Sequence, residues 1–384
     1  MMNNTFSLII TGDLVINQLY ANSNISQEVI DLFKKSDINI VNLEAPVTYS
    51  ERQILKTGPH LKADKKNTLD VLRSLKIDIV TLANNHLLDY GAEGVKDTLS
   101  FCKENKIETV GAGLNLKEAS TTLFLKTSVG RIAIVNFAEN EWASATEDTA
   151  GCHPMDIIEN ASKIKEAKSN ADYVFVIIHG GHEYYNLPSP RMQGLYRFYA
   201  AQGADIVIGH HTHCINGNEE YNGIPIYYSL GNFIFTKPSS YEDWYTGLAL
   251  EVNICNGKLS TKLHPIKQER ESYKIDLLKH KAKDEILDRI SSYNAIIEDS
   301  SKLREEWNSY IKKKENSYLK YWSLLSFINN PYIRAILNKM GLKLINKRVI
   351  SYQLNLMRCE AHADISKEVI KKYLSYKTTR SSQS

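Results

Sequence analysis

The first two-thirds of the chain alternates short apolar runs with amphipathic segments. Runs typical of buried strands lie at Phe6–Ile10, Ile38–Asn42, Ile77–Leu82 and Glu108–Val110. Segments with helical spacing lie between them, at about Gln27–Lys35, Asn67–Leu75 and Ala92–Asn105. This strand–helix–strand order predicts a mostly parallel sheet covered by helices.

Beyond residue 120 the pattern changes from alternation to neighbouring strands. Thr121–Lys126 and Arg131–Phe137 predict a hairpin, because Val129–Gly130 between them is a tight-turn signal. Buried-strand runs return at Tyr173–Ile178 and Ile206–Ile208, and residues 224–250 are again strand-rich. We therefore predict an α/β fold with two sheets packed face to face, outer helices, and site residues at the ends of the parallel strands.

After about Pro265 the composition shifts towards Lys, Tyr, Glu and Ser. We predict a domain over residues 1–268 and a mainly helical C-terminal region over residues 269–384, with helical spacing at 284–313, 317–328 and 332–342. Aromatic and basic residues interleave at Tyr318–Trp322. They fit either a helix at a membrane surface or, as we prefer, a helix that packs on the catalytic domain or on a second copy. The polar tail at 377–384 is expected to fray.

Composition and charge narrow the class of protein. The 384 residues carry 47 Lys and Arg against 44 Asp and Glu, a net charge of +3. Hydrophobic residues make up 43%, which is typical of a folded globular chain and argues against disorder. The small net charge gives no general attraction to nucleic acid, so we expect no nucleic-acid partner.

Cysteine usage and hydropathy suggest a reduced compartment. The five cysteines, at positions 102, 152, 214, 255 and 359, include no C-x-x-C pair, so neither a disulfide scaffold nor a cysteine zinc site is expected. The N-terminal apolar run is too short for a signal peptide, and no run approaches the ~20 apolar residues of a membrane span. We predict a cytoplasmic protein and leave peripheral membrane association open.

Polar side chains capable of binding metal follow strand after strand. The positions are Asp13, Glu44, Asn85 with His86, His179, and the run His210–His211–Thr212–His213. A strand buried on both faces has no structural need to end in a carboxylate or imidazole. We expect these groups to meet at one edge of the sheet. His211 and His213 should project to one side of an extended segment, which leaves His210 behind them.

The ligand types indicate which ions would bind. Carboxylates, an amide oxygen and imidazoles suit Mn²⁺, Fe²⁺ or Zn²⁺. The set is larger than one tetrahedral ion requires. We therefore predict one or two divalent ions. A pair roughly 3.5–4 Å apart can activate a water molecule and stabilise the attacking and leaving oxygens.

Several motifs resemble one family in both content and order. They are TGD at Thr11–Asp13, NLEAPVT at Asn42–Thr48, LANNHLLDYG at Leu82–Gly91, HGGHEY at His179–Tyr184, PSPRMQ at Pro188–Gln193, GADIVIGHHTH at Gly203–His213 and YSLGNFIF at Tyr228–Phe235. Over about residues 5–265 the chain resembles the CapA family of poly-γ-glutamate capsule biosynthesis proteins. That family is similar to calcineurin-type metallophosphatases, which implies a four-layer αββα sandwich with a two-metal site.

The resemblance also implies roles for individual residues. Asp13 stands where the first-strand ligand lies and Glu44 where the bridging carboxylate lies. Asn85 and His179 would ligate the second metal, and His211 and His213 would give one ligand to each metal. His86 would protonate the leaving group or bind the oxyanion.

The remaining candidates surround that set. Asp89 can orient His86, and Glu183 can act as a general acid or base if it is buried. Asn42, Lys56, His60 and Asn232 are candidate substrate contacts. We expect His153 and His182 at the surface.

Three functions stay open at this point. The first is a hydrolase in which metal-activated water attacks an amide or phosphoester bond of an anionic polymer or its precursor. The second is a non-catalytic metal-binding member of a capsule-assembly complex, in which the C-terminal helices dock a membrane partner. It is motivated by Leu14 and Val15, which follow Asp13 where the superfamily usually has D-x-H. The third is a phosphoesterase for a small molecule. A homodimer is left open for any of these functions.

Overall fold

The computed structural model describes residues 5–56, 58–321, 330–340, 350, 353–354 and 357. The chain divides into two compact units, Met1–Arg304 and Glu305–Ser384. In chain order the strands are β1 (Thr5–Val15), β2 (Ile38–Leu43), β3 (Ile79–Thr81), β4 (Glu108–Val110), β5 (Ala112–Gly113), β6 (Leu123–Thr127), β7 (Gly130–Ala138), β8 (Gly151–Cys152), β9 (Tyr173–His179), β10 (Ile206–His210), β11 (Asn218–Tyr221), β12 (Ile224–Tyr227), β13 (Asn232–Phe235), β14 (Thr246–Cys255), β15 (Lys258–Gln268) and β16 (Ile275–Leu277).

The α-helices in the same described ranges are α1 (Gln27–Lys35), α2 (Lys65–Ser74), α3 (Gly91–Glu104), α4 (Leu116–Ala119), α5 (Ile157–Asn170), α6 (Pro190–Ala201), α7 (His280–Glu298), α8 (Ser300–Tyr321) and α9 (Pro331–Lys339). Side chains that accept hydrogen bonds from backbone N–H groups explain where several of these helices begin. Asp64 and Asp156 accept backbone hydrogen bonds at the beginnings of α2 and α5. Ser189 does the same for α6, where Pro190 occupies the first turn.

Among the described residues, β1 lies within an eight-stranded sheet in the order β16–β15–β14–β1–β2–β3–β4, and β13 also pairs with β1. β1 to β4 are parallel, whereas β14, β15 and β16 are antiparallel to their neighbours. β13 runs parallel to the end of β1. The carboxyl ends of β1, β2 and β3 therefore meet at one edge of this sheet.

The second sheet has the order β11–β12–β10–β9–β7–β6 over the same described ranges. β7, β9, β10 and β12 are parallel, and β6 and β11 are antiparallel edge strands. The β6–β7 hairpin predicted from Val129–Gly130 is confirmed.

Alternate side chains along the strands pack in different apolar clusters, and these clusters show how the layers are arranged. Leu8 and Ile10 of β1 pack with Phe175 and Ile177 of β9 in one apolar cluster between the two sheets. Ile9 packs in a second cluster with Val29 and Phe33 of α1, on the outer face of the first sheet. A third cluster joins the second sheet to α5 and α6. Because successive strand residues face opposite sides, both sheets are apolar on both faces. The predicted four-layer αββα arrangement is confirmed.

The chain beyond residue 268 continues to contribute to the first unit. β16 pairs with β15, and α7 buries Ile290 and Ile297 in the apolar clusters of that unit. The domain boundary at residues 268 and 269 stays a prediction. The helical spacing predicted at 284–313 corresponds to α7 and α8, and that at 332–342 to α9 as far as Lys339. Most of the segment 317–328, and all of the tail 377–384, lie outside the described residues. Within the described ranges, no helix is long and apolar enough to cross a bilayer.

His153 was expected at the surface, and that prediction is wrong. Its side chain is buried, lies 3.0 Å by Nδ1 from the Asn136 carbonyl oxygen, and accepts a 3.0 Å hydrogen bond at Nε2 from Asn160 Nδ2. Asn160 lies on α5, seven residues along the chain, so a tertiary contact decides the burial. His182 is partly buried.

Candidate metal centre

The ends of five strands bring the predicted metal ligands to one place. Asp13 lies two residues before the end of β1, and Glu44 directly follows β2. His179 ends β9, and the histidine run begins at the end of β10. Asn85 and His86 follow β3, and all of these side chains are buried. The structure thus brings these residues together at one edge, and their role as metal ligands stays a prediction.

A close backbone crossing fixes the position of Asp13. Its backbone N–H donates to the Gly231 carbonyl oxygen at 3.1 Å, and the pairing of β1 with β2 shifts register just before it. A Cβ atom on Gly12 would stand 1.7 Å from that same carbonyl oxygen. Glycine at position 12 is therefore required by close approach, and the crossing turns Asp13 into the centre.

His211 and His213 have unusual backbone conformations. Their φ angles are +91° and +56°, in the left-handed region that residues other than glycine rarely adopt. Each such residue costs on the order of 1–3 kcal/mol unless its surroundings hold it there. The backbone N–H of His211 donates to Asp13 Oδ2 at 3.3 Å, which helps to hold the turn. The result is two imidazoles facing one centre from a three-residue segment.

The first ligand set consists of Asp13, Glu44 and His213, whose donor atoms lie within 4.8 Å of one another. His213 Nδ1 is 3.4 Å from Asp13 Oδ2 and 2.9 Å from Asn232 Oδ1. His213 Nε2 is 3.8 Å from Glu44 Oε1. A hydrogen on Nδ1 would therefore bond to Asn232, which leaves the Nε2 lone pair on the side of Glu44.

The second ligand set consists of Glu44, His179 and His211, again within 4.8 Å. His179 Nε2 lies 3.3 Å from Glu44 Oε1, 3.1 Å from His211 Nδ1 and 3.0 Å from Asn85 Oδ1. The Asn85 amide oxygen therefore faces the same space as the two imidazoles. Glu44 belongs to both sets, which is the position expected of a bridging carboxylate.

The polar atoms of the centre are suited to a cation. Among the described residues, neither oxygen of Glu44 has a hydrogen-bond partner, although the side chain is fully buried. A buried carboxylate without hydrogen-bond partners is costly, and a cation bound beside Glu44 would offset that cost. The donor set of oxygens and imidazole nitrogens fits divalent ions of the Mn, Fe and Zn type. His210 is also buried, and its ring nitrogens have no hydrogen-bond partner in the described part of the chain. Its Nδ1 lies 3.9 Å from Asp13 Oδ1.

Burial and neighbouring charges shift the pKa values of these groups in different directions. Burial would raise the pKa of Asp13, but the hydrogen bond to His213 and the nearby imidazoles hold it below its ordinary value. Burial, assisted by the charge of Asp13, raises the pKa of Glu44 well above its ordinary value. Burial lowers the pKa of His179, whereas Asp13 outweighs burial and raises the pKa of His213. Without a cation the centre holds more acidic oxygens than its surroundings can stabilise.

A second polar group adjoins the ligands. His86 Nδ1 lies 2.7 Å from Asp89 Oδ2, which also accepts the backbone N–H of Leu61 at 2.7 Å. The Lys56 ammonium pairs with Asp89 Oδ1 and lies 3.2 Å from His86 Nδ1. The side chain of Lys56 is almost fully buried, and that of Asp89 is fully buried. Burial lowers the pKa of His86, and its bond to Asp89 acts in the opposite direction.

A cleft of about 360 Å³ opens beside the centre. Asn85, His86 and His213 line it on the side of the ligands, and Glu141, Glu183 and Lys237 add charged groups. Tyr184, Phe235 and Trp244 form an aromatic wall, in which the Trp244 ring lies 4.7 Å from the His213 ring. The cleft therefore combines the ligand centre with charges of both signs.

The predicted substrate contacts have different surroundings. Asn42 lies inside the centre, where its Nδ2 donates to Asp13 Oδ1 at 2.7 Å and lies 3.2 Å from His179 Nδ1. Asn232 supports His213 and donates to the Trp244 carbonyl oxygen. His60 Nε2 lies 2.8 Å from the Ile54 carbonyl oxygen and is not among the residues that line the cleft. Lys56 lines the cleft but is paired with Asp89.

Sequence reasoning missed Glu141 and the aromatic wall. Glu141 Oε1 lies 3.5 Å from His211 Nε2, on the side of the ring away from His179, so it can orient that ligand. It comes from a loop after β7 with no strand-end signal of its own. Trp244 follows β13 by nine residues, and only the fold brings it to His213.

Comparison with known proteins supports a family assignment. The model of the family described as bacterial capsule synthesis protein PGA_cap matches residues 7–237. The PGA biosynthesis protein CapA of Bacillus subtilis is 39% identical over 219 residues, covering 56% of this chain and 57% of its own length. The capsule biosynthesis protein CapA of Bacillus anthracis is 33% identical over 251 residues, covering 61% of each chain. The match thus spans about three-fifths of the length of these curated relatives.

Solved structures give more distant matches. A novel phosphatase from Mycoplasma pneumoniae aligns with a TM-score of 0.45 and 13% identity over 71% of this chain and 97% of its own. A putative 5'-nucleotidase from Staphylococcus aureus aligns with a TM-score of 0.46 and 14% identity, over 75% of this chain and 58% of its own. The family assignment depends on the family-model match, whose range of residues 7–237 includes every predicted metal ligand. The chain belongs to the bacterial capsule synthesis protein family PGA_cap.

Proposed function

We propose that this protein is a metal-dependent hydrolase that cleaves an amide or phosphoester bond during synthesis of a bacterial surface polymer. The observation that carries the proposal is the place of Glu44 in both ligand sets, with two buried oxygens that lack hydrogen-bond partners among the described residues. A shared carboxylate between two sets of donors is the arrangement of a two-ion hydrolytic centre.

The donor atoms favour two divalent ions of the Mn, Fe or Zn type. Asp13, Glu44 and His213 would hold one ion, and Glu44, His179, His211 and Asn85 would hold the other. Ions bound there supply Lewis acidity towards an acyl or phosphoryl oxygen and make a water molecule more acidic. Asn42, Asn232 and Glu141 orient the ligands through the contacts described above.

His86 is our candidate for proton transfer to the leaving atom. Its Nδ1 faces Asp89, so Nε2 is the nitrogen available to the cleft. In the imidazolium form Nε2 can donate a proton to the departing nitrogen or oxygen, and the Asp89 carboxylate stabilises that form. Lys56 holds Asp89 from the other side, so we assign Lys56 a positioning role.

The names of relatives suggest the substrate. They include a PGA biosynthesis protein, a capsule biosynthesis protein and, in Mycobacterium tuberculosis, a probable polyglutamine synthesis accessory protein that is 26% identical over 212 residues. We propose that the substrate is an anionic polymer of this kind or its precursor, with a γ-amide bond as the preferred target. A cytoplasmic location, a membrane-bound synthesis partner and a homodimer are parts of the same proposal.

The test combines metal content with turnover. Purified protein, loaded in turn with Mn²⁺, Fe²⁺ and Zn²⁺, is assayed against γ-glutamyl peptides and aryl phosphate esters. His211→Ala with His213→Ala should abolish hydrolysis and lower bound metal while leaving the circular dichroism spectrum unchanged. His264→Ala with His280→Ala, two histidines outside the centre, is the matched control and should retain turnover. Hydrolysis that survives loss of His211 and His213 would contradict the proposal.

A non-catalytic role is the second candidate, and one observation favours it. Leu14 and Val15 are fully buried apolar residues, so β1 offers no histidine beside Asp13. The metal centre would then be structural or would bind polymer. Metal binding without turnover on the whole substrate panel, together with copurification with a membrane-bound partner, would favour this function over hydrolysis.

A further inference from the structure

The charged residues of the cleft differ in whether a protein group already satisfies them. The Lys56 ammonium is paired with Asp89, and Glu141 lies 3.5 Å from the His211 ring. Glu183 and Lys237 line the same cleft with opposite charges. Within the described part of the chain, neither side chain takes part in an ion pair or a side-chain hydrogen bond, so the two are not paired with each other.

An aromatic pair connects these two residues to the metal centre. Glu183 directly precedes Tyr184, whose ring stacks on Trp244 with centroids 6.2 Å apart and planes at 26°. Trp244 Nε1 donates to the Lys237 carbonyl oxygen at 3.1 Å, which fixes the backbone of Lys237. Trp244 and Tyr184 lie 4.7 Å and 6.3 Å from the His213 ring. Glu183 and Lys237 are therefore attached to one aromatic surface beside a metal ligand.

The carboxylate of Glu183 affects which ligand charges this side of the cleft accepts. Glu183 lines the cleft together with His213, and Glu141 adds a second carboxylate to the same lining. A ligand carboxylate placed beside Glu183 and Glu141 would be repelled by them, whereas an ammonium there would be attracted. A ligand that carries an ammonium as well as a carboxylate would satisfy Glu183 and Lys237 together.

We infer that Glu183 and Lys237 form a subsite for a zwitterionic α-amino acid group, with the ammonium on Glu183, the carboxylate on Lys237 and the carbon chain over Tyr184 and Trp244. The inference rests on the proposed hydrolase function and specifies which end of the substrate chain binds. In a γ-linked glutamyl chain every unit has an α-carboxylate, but only the amino-terminal unit also has a free ammonium. The subsite therefore selects the chain end. This binding role replaces the general acid or base role predicted for Glu183 from the sequence.

The corresponding reaction is removal of one unit at a time. One water molecule is consumed for each γ-amide bond. The hydroxyl adds to the γ-carbonyl carbon, the carbon–nitrogen bond breaks, and the leaving nitrogen takes the proton. The products are free glutamate and a chain that is shorter by one unit and has a new terminal ammonium. No oxidant or other co-reactant is required.

Matched substrates test each charge separately. The metal-loaded protein is assayed with γ-glutamyl-glutamate, with its N-acetyl derivative and with the α-amide of its first residue. Glu183→Gln should raise KM about 10-fold for the substrate with a free ammonium and leave KM for the acetylated substrate unchanged. Lys237→Met should raise KM about 10-fold for the substrates that have the α-carboxylate and leave KM for the α-amide unchanged. The controls, Glu166→Gln and Lys163→Met on the exposed face of α5, should change neither value.

Binding without turnover separates this inference from the proposed function. Calorimetry with glutamate and N-acetylglutamate should show tighter binding of glutamate, lost in Glu183→Gln and in Lys237→Met. If that holds while no substrate is hydrolysed, the subsite stands and the hydrolase function fails. If substrates are hydrolysed but the acetylated form is as good as the free one, or neither variant changes KM or binding, the subsite is wrong and the hydrolase function stands.

Discussion

Glu44 and Glu219 are both buried glutamates, but their surroundings are opposite. Glu219, in β11, accepts hydrogen bonds from Arg197 Nε at 2.9 Å and Nη2 at 2.5 Å, and from the Tyr228 hydroxyl. Glu44 has no hydrogen-bond partner among the described residues, and Asp13 and the histidines crowd around it. The fold thus neutralises one carboxylate internally and leaves the other for a ligand.

Buried polar side chains that stabilise the fold can be distinguished from those that bind a ligand by whether the protein itself pairs them. Glu219 lies on strand β11 and its counter-charge Arg197 lies on helix α6, so each charge of this cluster is paired within regular secondary structure. The Glu44 cluster includes two left-handed histidines and a backbone crossing at Gly12, and its acidic oxygens exceed the available donors. Strain and unsatisfied polar atoms collect where function requires them.

The largest effect is expected at Glu44 itself. Glu44→Gln removes the shared ligand, so hydrolysis should fall by about 1,000-fold, or about 4 kcal/mol of transition-state stabilisation. In metal-free protein the same change removes an uncompensated buried carboxylate, so the free energy of unfolding should rise by about 2 kcal/mol. Added Mn²⁺ should reverse the order of stability. Denaturation with and without metal checks this, and a variant less stable than wild type in both conditions would contradict it.

The Lys56–Asp89 pair adjoins the metal centre but should behave like the Glu219 cluster. Both side chains are almost fully buried, so Lys56→Met removes the ammonium that pairs with a buried carboxylate and should cost about 4 kcal/mol of unfolding free energy. Lys56→Met with Asp89→Asn should recover about half of that loss, because the buried charge is gone. Urea denaturation of the single and double variants measures the coupling. Additive losses would show that the pair is not coupled.

Glu219→Gln, in the cluster that Arg197 and Tyr228 neutralise, should lower the free energy of unfolding with or without bound metal. The change leaves Arg197 without its counter-charge, and we expect a loss of about 3 kcal/mol, reduced because Arg197 is partly exposed. Metal content and KM should stay at the wild-type level. A gain in stability in metal-free protein, as predicted for Glu44→Gln, would remove the contrast between the two glutamates.

His153 gives the smallest expected effect, through pH. Burial lowers its pKa from 6.5 to about 4, so the unfolded chain binds a proton that the folded chain does not between those values. Stability from this group is complete above pH 6.5 and declines as pH falls, by about 2 kcal/mol at pH 5. His153→Gln cannot titrate and should flatten that part of the pH profile of metal-free protein. An unchanged slope would mean that His153 is not the group responsible.

The strand-end rule predicted much of the centre from sequence. Asp13, Glu44, His179, His211 and His213 could be chosen because each follows or ends a buried run, and a parallel sheet gathers such positions. The four-layer fold followed from the same alternation together with the family resemblance. Both depend on local pattern, which a sequence displays.

Long-range partners could not be predicted in the same way. Lys56 looked like a substrate contact because its partner Asp89 lies 33 residues away. Asn232 meets His213 only because β13 pairs with β1, and Glu141 reaches His211 from an irregular loop. His153 looked like a surface residue beside Pro154, although α5 covers it. In each case a tertiary contact, with no local signature, decides the role.

If Glu44 serves two cation sites at once, its carboxylate controls how many ions the protein binds. Equilibrium dialysis of metal-free protein against Mn²⁺, followed by elemental analysis, counts the ions bound per chain. We predict two ions for the wild type and for Glu219→Gln, and fewer than one for Glu44→Gln. Equal ion counts in the wild type and Glu44→Gln would show that Glu44 is not shared between two ions.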